Sequence, residues 1–117
     1  MPKHDVVLYH NPRCSKSRSA LALLREKGVE PTVVEYLNTP PTAAELRALV
    51  KKLGIEPEAL VRTGEDIYKT QFKGKTLSDA QWIDALAANP ILIERPVAIR
   101  GERAVIGRPP EKVLELL

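Results

Sequence analysis

A small mixed-sheet α/β domain is the fold class this sequence predicts, and three observations carry it. Within the first 36 residues an apolar β-branched run, a helical pattern and a second β-branched run follow one another. From about residue 42 to 89 the apolar spacing is helical throughout. Beyond that stretch, two short β-branched runs flank Gly101-Glu102. The 117 residues suit one domain, 1–117, and 44% hydrophobic with 28% charged residues is ordinary globular usage.

Taken in order, Val6-Val7-Leu8-Tyr9 reads as a buried strand, ended at His10-Asn11-Pro12 where proline removes a backbone donor and forces a turn. A helix follows from about Ser15, with Ala20, Leu21 and Leu24 at helical spacing and Gly28 as its stop. Thr32-Val33-Val34-Glu35-Tyr36 is the second strand, and strand–helix–strand in so short a span makes a right-handed βαβ unit the economical topology. After the rigid loop Asn38-Thr39-Pro40-Pro41, Thr42 with Glu45 forms a capping-box pattern. That helix reaches Leu53, buries Leu46, Leu49, Val50 and Leu53, and stops at Gly54.

A short helix begins after Pro57 with Leu60 and Val61 as its apolar side, and Ser78 with Gln81 caps another through Trp82, Ile83, Leu86 and Ala87 to Asn89-Pro90. Three helical pieces thus form an insertion over about 42–89. Val97–Arg100 and Arg103–Ile106 read as a hairpin with a glycine turn. Gly107-Arg108-Pro109-Pro110 breaks it, and Glu111 to Leu117 is expected as a last helix with Val113, Leu114 and Leu117 on one side. The sum, β-α-β, helical insertion, β-β-α, is the element order of a thioredoxin-like fold.

Composition narrows the function. Eighteen basic against fifteen acidic residues leave +3, a poor argument for nucleic acid, and one Trp, one Phe and three Tyr cannot build a stacking platform for single strands. No run of about 18 apolar residues offers a membrane span, and Met1–Asp5 leads into the first strand without a signal-peptide pattern, so cytoplasm is expected. The single cysteine, Cys14, excludes an intramolecular disulfide and a Cys-rich zinc site. His4 and His10 add no metal-ligand spacing, and no glycine-rich nucleotide loop occurs.

Cys14 sits between the first strand and the first helix. A helix N-terminus presents free N–H groups and partial positive charge, which favour a thiolate or a bound oxyanion. Arg13, Lys16 and Arg18, with His10 near, are expected to lower the thiol pKa further. Most lone cysteines are small apolar filler, but one flanked by Arg13 and Lys16 at a strand-to-helix turn makes a poor core residue. A phosphatase-type loop needs arginine six positions after the cysteine, and Ala20 stands there. Position 17 is Ser17, so Cys-x-x-Cys chemistry is absent, and any disulfide of Cys14 needs an outside thiol, glutathione being the natural cytosolic one.

The stretch His10-Asn11-Pro12-Arg13-Cys14-Ser15-Lys16-Ser17-Arg18 resembles the His-Asn-Pro-x-Cys-x-x-Ser-Arg signature of glutaredoxin-coupled arsenate reductases. Glu35–Thr42, Leu60-Val61-Arg62, Asn89–Pro96 and Gly107-Arg108-Pro109 resemble further blocks of that family in the same order. The resemblance implies a thioredoxin-like fold and a monomeric oxidoreductase of arsenic detoxification. It also implies arsenate as substrate, glutathione as co-substrate, glutaredoxin as reductant and no bound cofactor. It makes Cys14 the nucleophile and gives Arg62, Arg95 and Arg108 the task of holding the oxyanion. Arginine suits that task, being permanently charged and planar. Each arginine alone reads as a solvated surface charge, but Arg95-Pro96 and Arg108-Pro109 each fix the backbone that presents the side chain.

The resemblance also implies a cis peptide at Pro96, where base rates favour trans. His10 either tunes Cys14 or merely ends the strand, Asn11 belongs to the signature, and Ser17 is expected to cap the helix more readily than to meet the thiolate. The best-known relatives carry Gly-Thr after the cysteine where this chain has Ser15-Lys16. Two other readings stand beside this one. A single-thiol glutathione-dependent oxidoreductase would fit Cys-x-x-Ser but leave the three arginines without a task. A non-catalytic thioredoxin-like regulator of RNA polymerase would lack the Cys-x-x-Cys switch that Ser17 removes.

Overall fold

Four strands order the first part of the computed structural model, which describes residues 5–117; Met1–His4, the head of the lead-in discussed above, lie outside the described residues. Strand β1 (Val6–Tyr9) pairs in parallel with β2 (Thr32–Val34) and antiparallel with β3 (Val97–Arg100), and β3 pairs antiparallel with β4 (Arg103–Ile106). The sheet order is β2-β1-β3-β4, the mixed sheet of a thioredoxin-like fold. Contacts divide the chain into two compact units, one of residues up to Thr39 with Arg95–Leu117, the other Pro40–Glu94.

In the first unit the alternation of β1 puts Val6 and Leu8 on one face, where they meet Ala98 of β3 and Ala20 and Leu24 of helix α1 (Ser15–Glu26). Val29, Val113 and Leu116 complete this core. Two expectations shift. Strand β2 ends at Val34, and Tyr36 is fully buried in the following turn, its ring stacked on Tyr9 at 6.4 Å between centroids. The C-terminal helix is a 3₁₀ helix, Pro110–Leu116, so its buried side repeats every three residues as Pro110, Val113 and Leu116. Leu117, expected inside, is 46% exposed.

In the second unit α2 (Ala43–Leu53) opens with the full Thr42–Glu45 capping box and closes at Gly54, whose φ of 68° is left-handed. A 3₁₀ turn, Pro57–Leu60, follows, then α3 (Asp66–Gln71), then α4 (Asp79–Ala88) with the Ser78–Gln81 capping box. Leu46, Leu49, Leu60, Trp82, Ile83 and Leu86 are buried here. Helix α3 was not foreseen, and none of its residues is buried, so it carries no apolar stripe to read. Val61 makes an isolated antiparallel bridge with Ile93; from 42 to 89 no residue lies in a named strand. Among the described residues no helix is long and apolar enough to cross a membrane.

Candidate active site

The loop after β1 is tied at several points. Asn11, almost fully buried, accepts the Arg13 N–H on its side-chain oxygen (3.0 Å) and the Cys14 N–H on its carbonyl (3.0 Å). Arg18 Nη1 donates to the Pro12 carbonyl at 2.9 Å. Ser17, wholly buried, accepts the Asn11 N–H on Oγ at 3.0 Å and hydrogen-bonds His10 Nδ1 at 2.7 Å. The hydroxyl therefore neither caps α1, as expected, nor meets the thiol. It knots the first helical turn to the loop.

Cys14 is the N-cap of α1, with extended backbone (φ −97°, ψ 123°) and a part-exposed side chain. Its thiol closes no cap hydrogen bond, but the N–H groups of Ser17 and Lys16 face the sulfur and favour the thiolate. Burial pushes the thiol pKa up. Those two N–H groups, together with a hydrogen bond and the charge of Arg95, outweigh burial and hold it below the ordinary value. The cation at work is thus Arg95, and the side chains of Arg13, Lys16 and Arg18 are not among the causes. Burial also lowers the His10 pKa, with Arg25 and Arg18 pushing the same way and Glu35 opposing. The imidazole is then neutral near pH 7 and lends the thiol no formal charge.

Arg95 and Arg108 come together in the first unit. Arg108 Nε donates to the Arg95 carbonyl at 3.0 Å, and the Gly107 N–H donates to the Pro96 carbonyl at 2.8 Å. Both Arg95-Pro96 and Arg108-Pro109 are cis, the first as the resemblance implied and the second unanticipated. Arg62 belongs to the second unit. There its N–H donates to the Leu92 carbonyl (2.7 Å) and its guanidinium meets Glu65 (3.3 Å) and Glu94 (3.6 Å). One unit therefore assembles His10, Asn11, Cys14, Ser17, Arg95, Pro96 and Arg108. Gly107, which the sequence marks only as a strand break and as part of the Gly107-Arg108-Pro109 block, is thus tied to the segment that carries Arg95.

A helix-start thiolate beside a nearly buried guanidinium can attack an electrophilic centre that itself carries negative charge. Among the described residues no cluster of His, Cys, Asp or Glu could hold a metal ion. The ArsC family profile matches residues 9–116. The arsenate reductase of Haemophilus influenzae is 46% identical over 97% of this chain and 99% of its own length. An uncharacterized Escherichia coli protein, YfgD, is 52% identical over 97% of each chain. A solved arsenate reductase structure from Vibrio cholerae superposes with a TM-score of 0.92 at 48% identity, covering 96% of this chain and 97% of that one. With residues 9–116 matched by the family profile and nearly its whole length by relatives and solved structures, the chain belongs to the ArsC family.

Proposed function

We propose that this protein is an arsenate reductase, working in the cytoplasm as a monomer without a bound cofactor. The observation that carries the reading is Cys14 at the start of α1, where the Ser17 and Lys16 N–H groups and Arg95 all favour its thiolate form. Thiolate attack on arsenic(V) forms a sulfur–arsenic bond, and one arsenate oxygen leaves as water. Arg95 and Arg108 would hold the remaining oxygens, since a planar guanidinium offers paired donors to a tetrahedral oxyanion. The motif Leu60-Val61-Arg62 supports Arg62 as a further candidate for holding the oxyanion.

Reduction to arsenic(III) needs two electrons, and one cysteine cannot supply them as a disulfide. Two outside thiols do so: glutathione attacks the adduct, and glutaredoxin resolves the resulting mixed species. Overall, arsenate and two thiols give arsenite, one disulfide and water, and Cys14 returns as thiolate. Asn11, Ser17 and His10 position the loop, and Pro96 fixes the backbone after Arg95.

A coupled assay with arsenate, glutathione and glutaredoxin tests the reading, comparing the native protein with Cys14→Ser. Arsenite formed by the native protein alone is expected. Turnover of a glutathionylated protein without arsenite would replace this function by mixed-disulfide reduction.

A further inference from the structure

The turn between β4 and the C-terminal helix holds a glycine that the reaction scheme does not use. Gly107 lies against the Arg95-Pro96 segment so closely that a Cβ built on it would stand 2.8 Å from Pro96 Cγ and 3.0 Å from Val113 Cγ1. Neither neighbour can give easily. Pro96 Cγ belongs to a closed ring, and Val113 is fully buried in the core of the first unit. At this distance the Gly107 N–H donates to the Pro96 carbonyl, and the next side chain, Arg108, returns Nε to the Arg95 carbonyl. Two consecutive residues thus grip two consecutive carbonyls, which sets the spacing of the two guanidinium-bearing residues.

We propose that Gly107 is a positioning residue: its missing side chain lets the 107–108 backbone clasp the Arg95-Pro96 backbone, so that Arg108 and Arg95 are presented as one unit to an oxyanion at Cys14. Left-handed φ is not the reason for glycine here, because Gly107 is not among the positive-φ glycines. Close approach is the reason. The inference rests on the reading that Arg95 and Arg108 hold the anion.

The test is Gly107→Ala in two backgrounds. In the otherwise native protein, titration of Cys14 by thiolate absorbance should show the pKa moved upward, because Arg95 is displaced from the sulfur. In Cys14→Ser, calorimetry with arsenate should show affinity reduced about tenfold or more, the loss expected when a charge-assisted hydrogen bond is misaligned. A purely structural glycine would lower the melting temperature and leave both readouts unchanged in the folded protein, and that result would overturn the proposal. Should Gly107→Ala not fold, amide exchange in Cys14→Ser decides instead: the Gly107 N–H should exchange more slowly when arsenate is bound. Unchanged exchange at saturating arsenate sinks the idea. If Arg95→Ala also binds arsenate as its parent does, the clamp reading itself is wrong; if only Gly107→Ala binds normally, the positioning role alone is lost.

Discussion

Replacing Arg95 by alanine should slow the chemistry of Cys14 before any substrate is present. Only 9% of Arg95 is exposed, so solvent screens its hydrogen bond and charge weakly. A hydrogen bond to a charged partner is worth about 1.5–3 kcal/mol, and about 1.4 kcal/mol is a factor of ten. Below its pKa the thiol should therefore lose about ten- to a hundredfold of its thiolate population, and the pKa should rise. The lower end is the safer figure, because removing the arginine also admits water to the sulfur, which weakens the upward push of burial. What remains in favour of the thiolate is the pair of N–H groups from Ser17 and Lys16. Arg95→Lys should fall between the two, keeping the charge and losing the planar fork. The assay is the rate of alkylation by iodoacetamide against pH, with ultraviolet thiolate absorbance as the parallel titration. If the Arg95→Ala profile overlies that of the parent, Arg95 does not bear on the sulfur and the electrostatic account collapses.

The stability gap between the native protein and Cys14→Ser should depend on pH. The folded thiol pKa is depressed, so its contribution is absent below that pKa, grows as pH rises and levels off above the unfolded value of about 8.5; urea midpoints across this range would show it. Ser17→Ala strips the buried Asn11 N–H and His10 Nδ1 of their shared partner and should cost about 1–3 kcal/mol, read from thermal melting. Thr42→Ala removes the cap that receives the Glu45 N–H at 3.1 Å and should cost about 1 kcal/mol. It should lower the urea midpoint at unchanged slope, and an unmoved midpoint would count against the capping box as a stabiliser.

Local signals were legible in the sequence where one short segment decides them. The β-branched run at Val6–Tyr9, the hairpin around Gly101 and both capping boxes depend on neighbours within a few positions, and all appear where read. The second unit's α3 leaves no readable periodicity because none of its residues is fully buried. Leu116 in place of Leu117 turns on a change of helical period from 3.6 to three, which Pro109-Pro110 favours only in hindsight. At the candidate site, the place of Cys14 at the start of the first helix was legible from its neighbours in sequence. The source of its activation was not, since adjacent cations look equivalent on paper and only the folded sheet brings Arg95 to the sulfur. Ser17 likewise found its partners behind it, on Asn11 and His10, which no spacing rule anticipates.

Most helices give their N-cap position to an oxygen that does nothing else. Helix α1 places a thiol there, and the Ser17 and Lys16 N–H groups of its first turn face the sulfur of the proposed nucleophile. Every covalent state of Cys14 then alters the helix end. A free thiolate is an anionic cap, whereas a sulfur bonded to arsenic or to another sulfur carries less charge and accepts more weakly. In the proposed reaction, turnover would alternate between a more and a less strongly anchored helix start, and the fold itself would favour return to the thiolate.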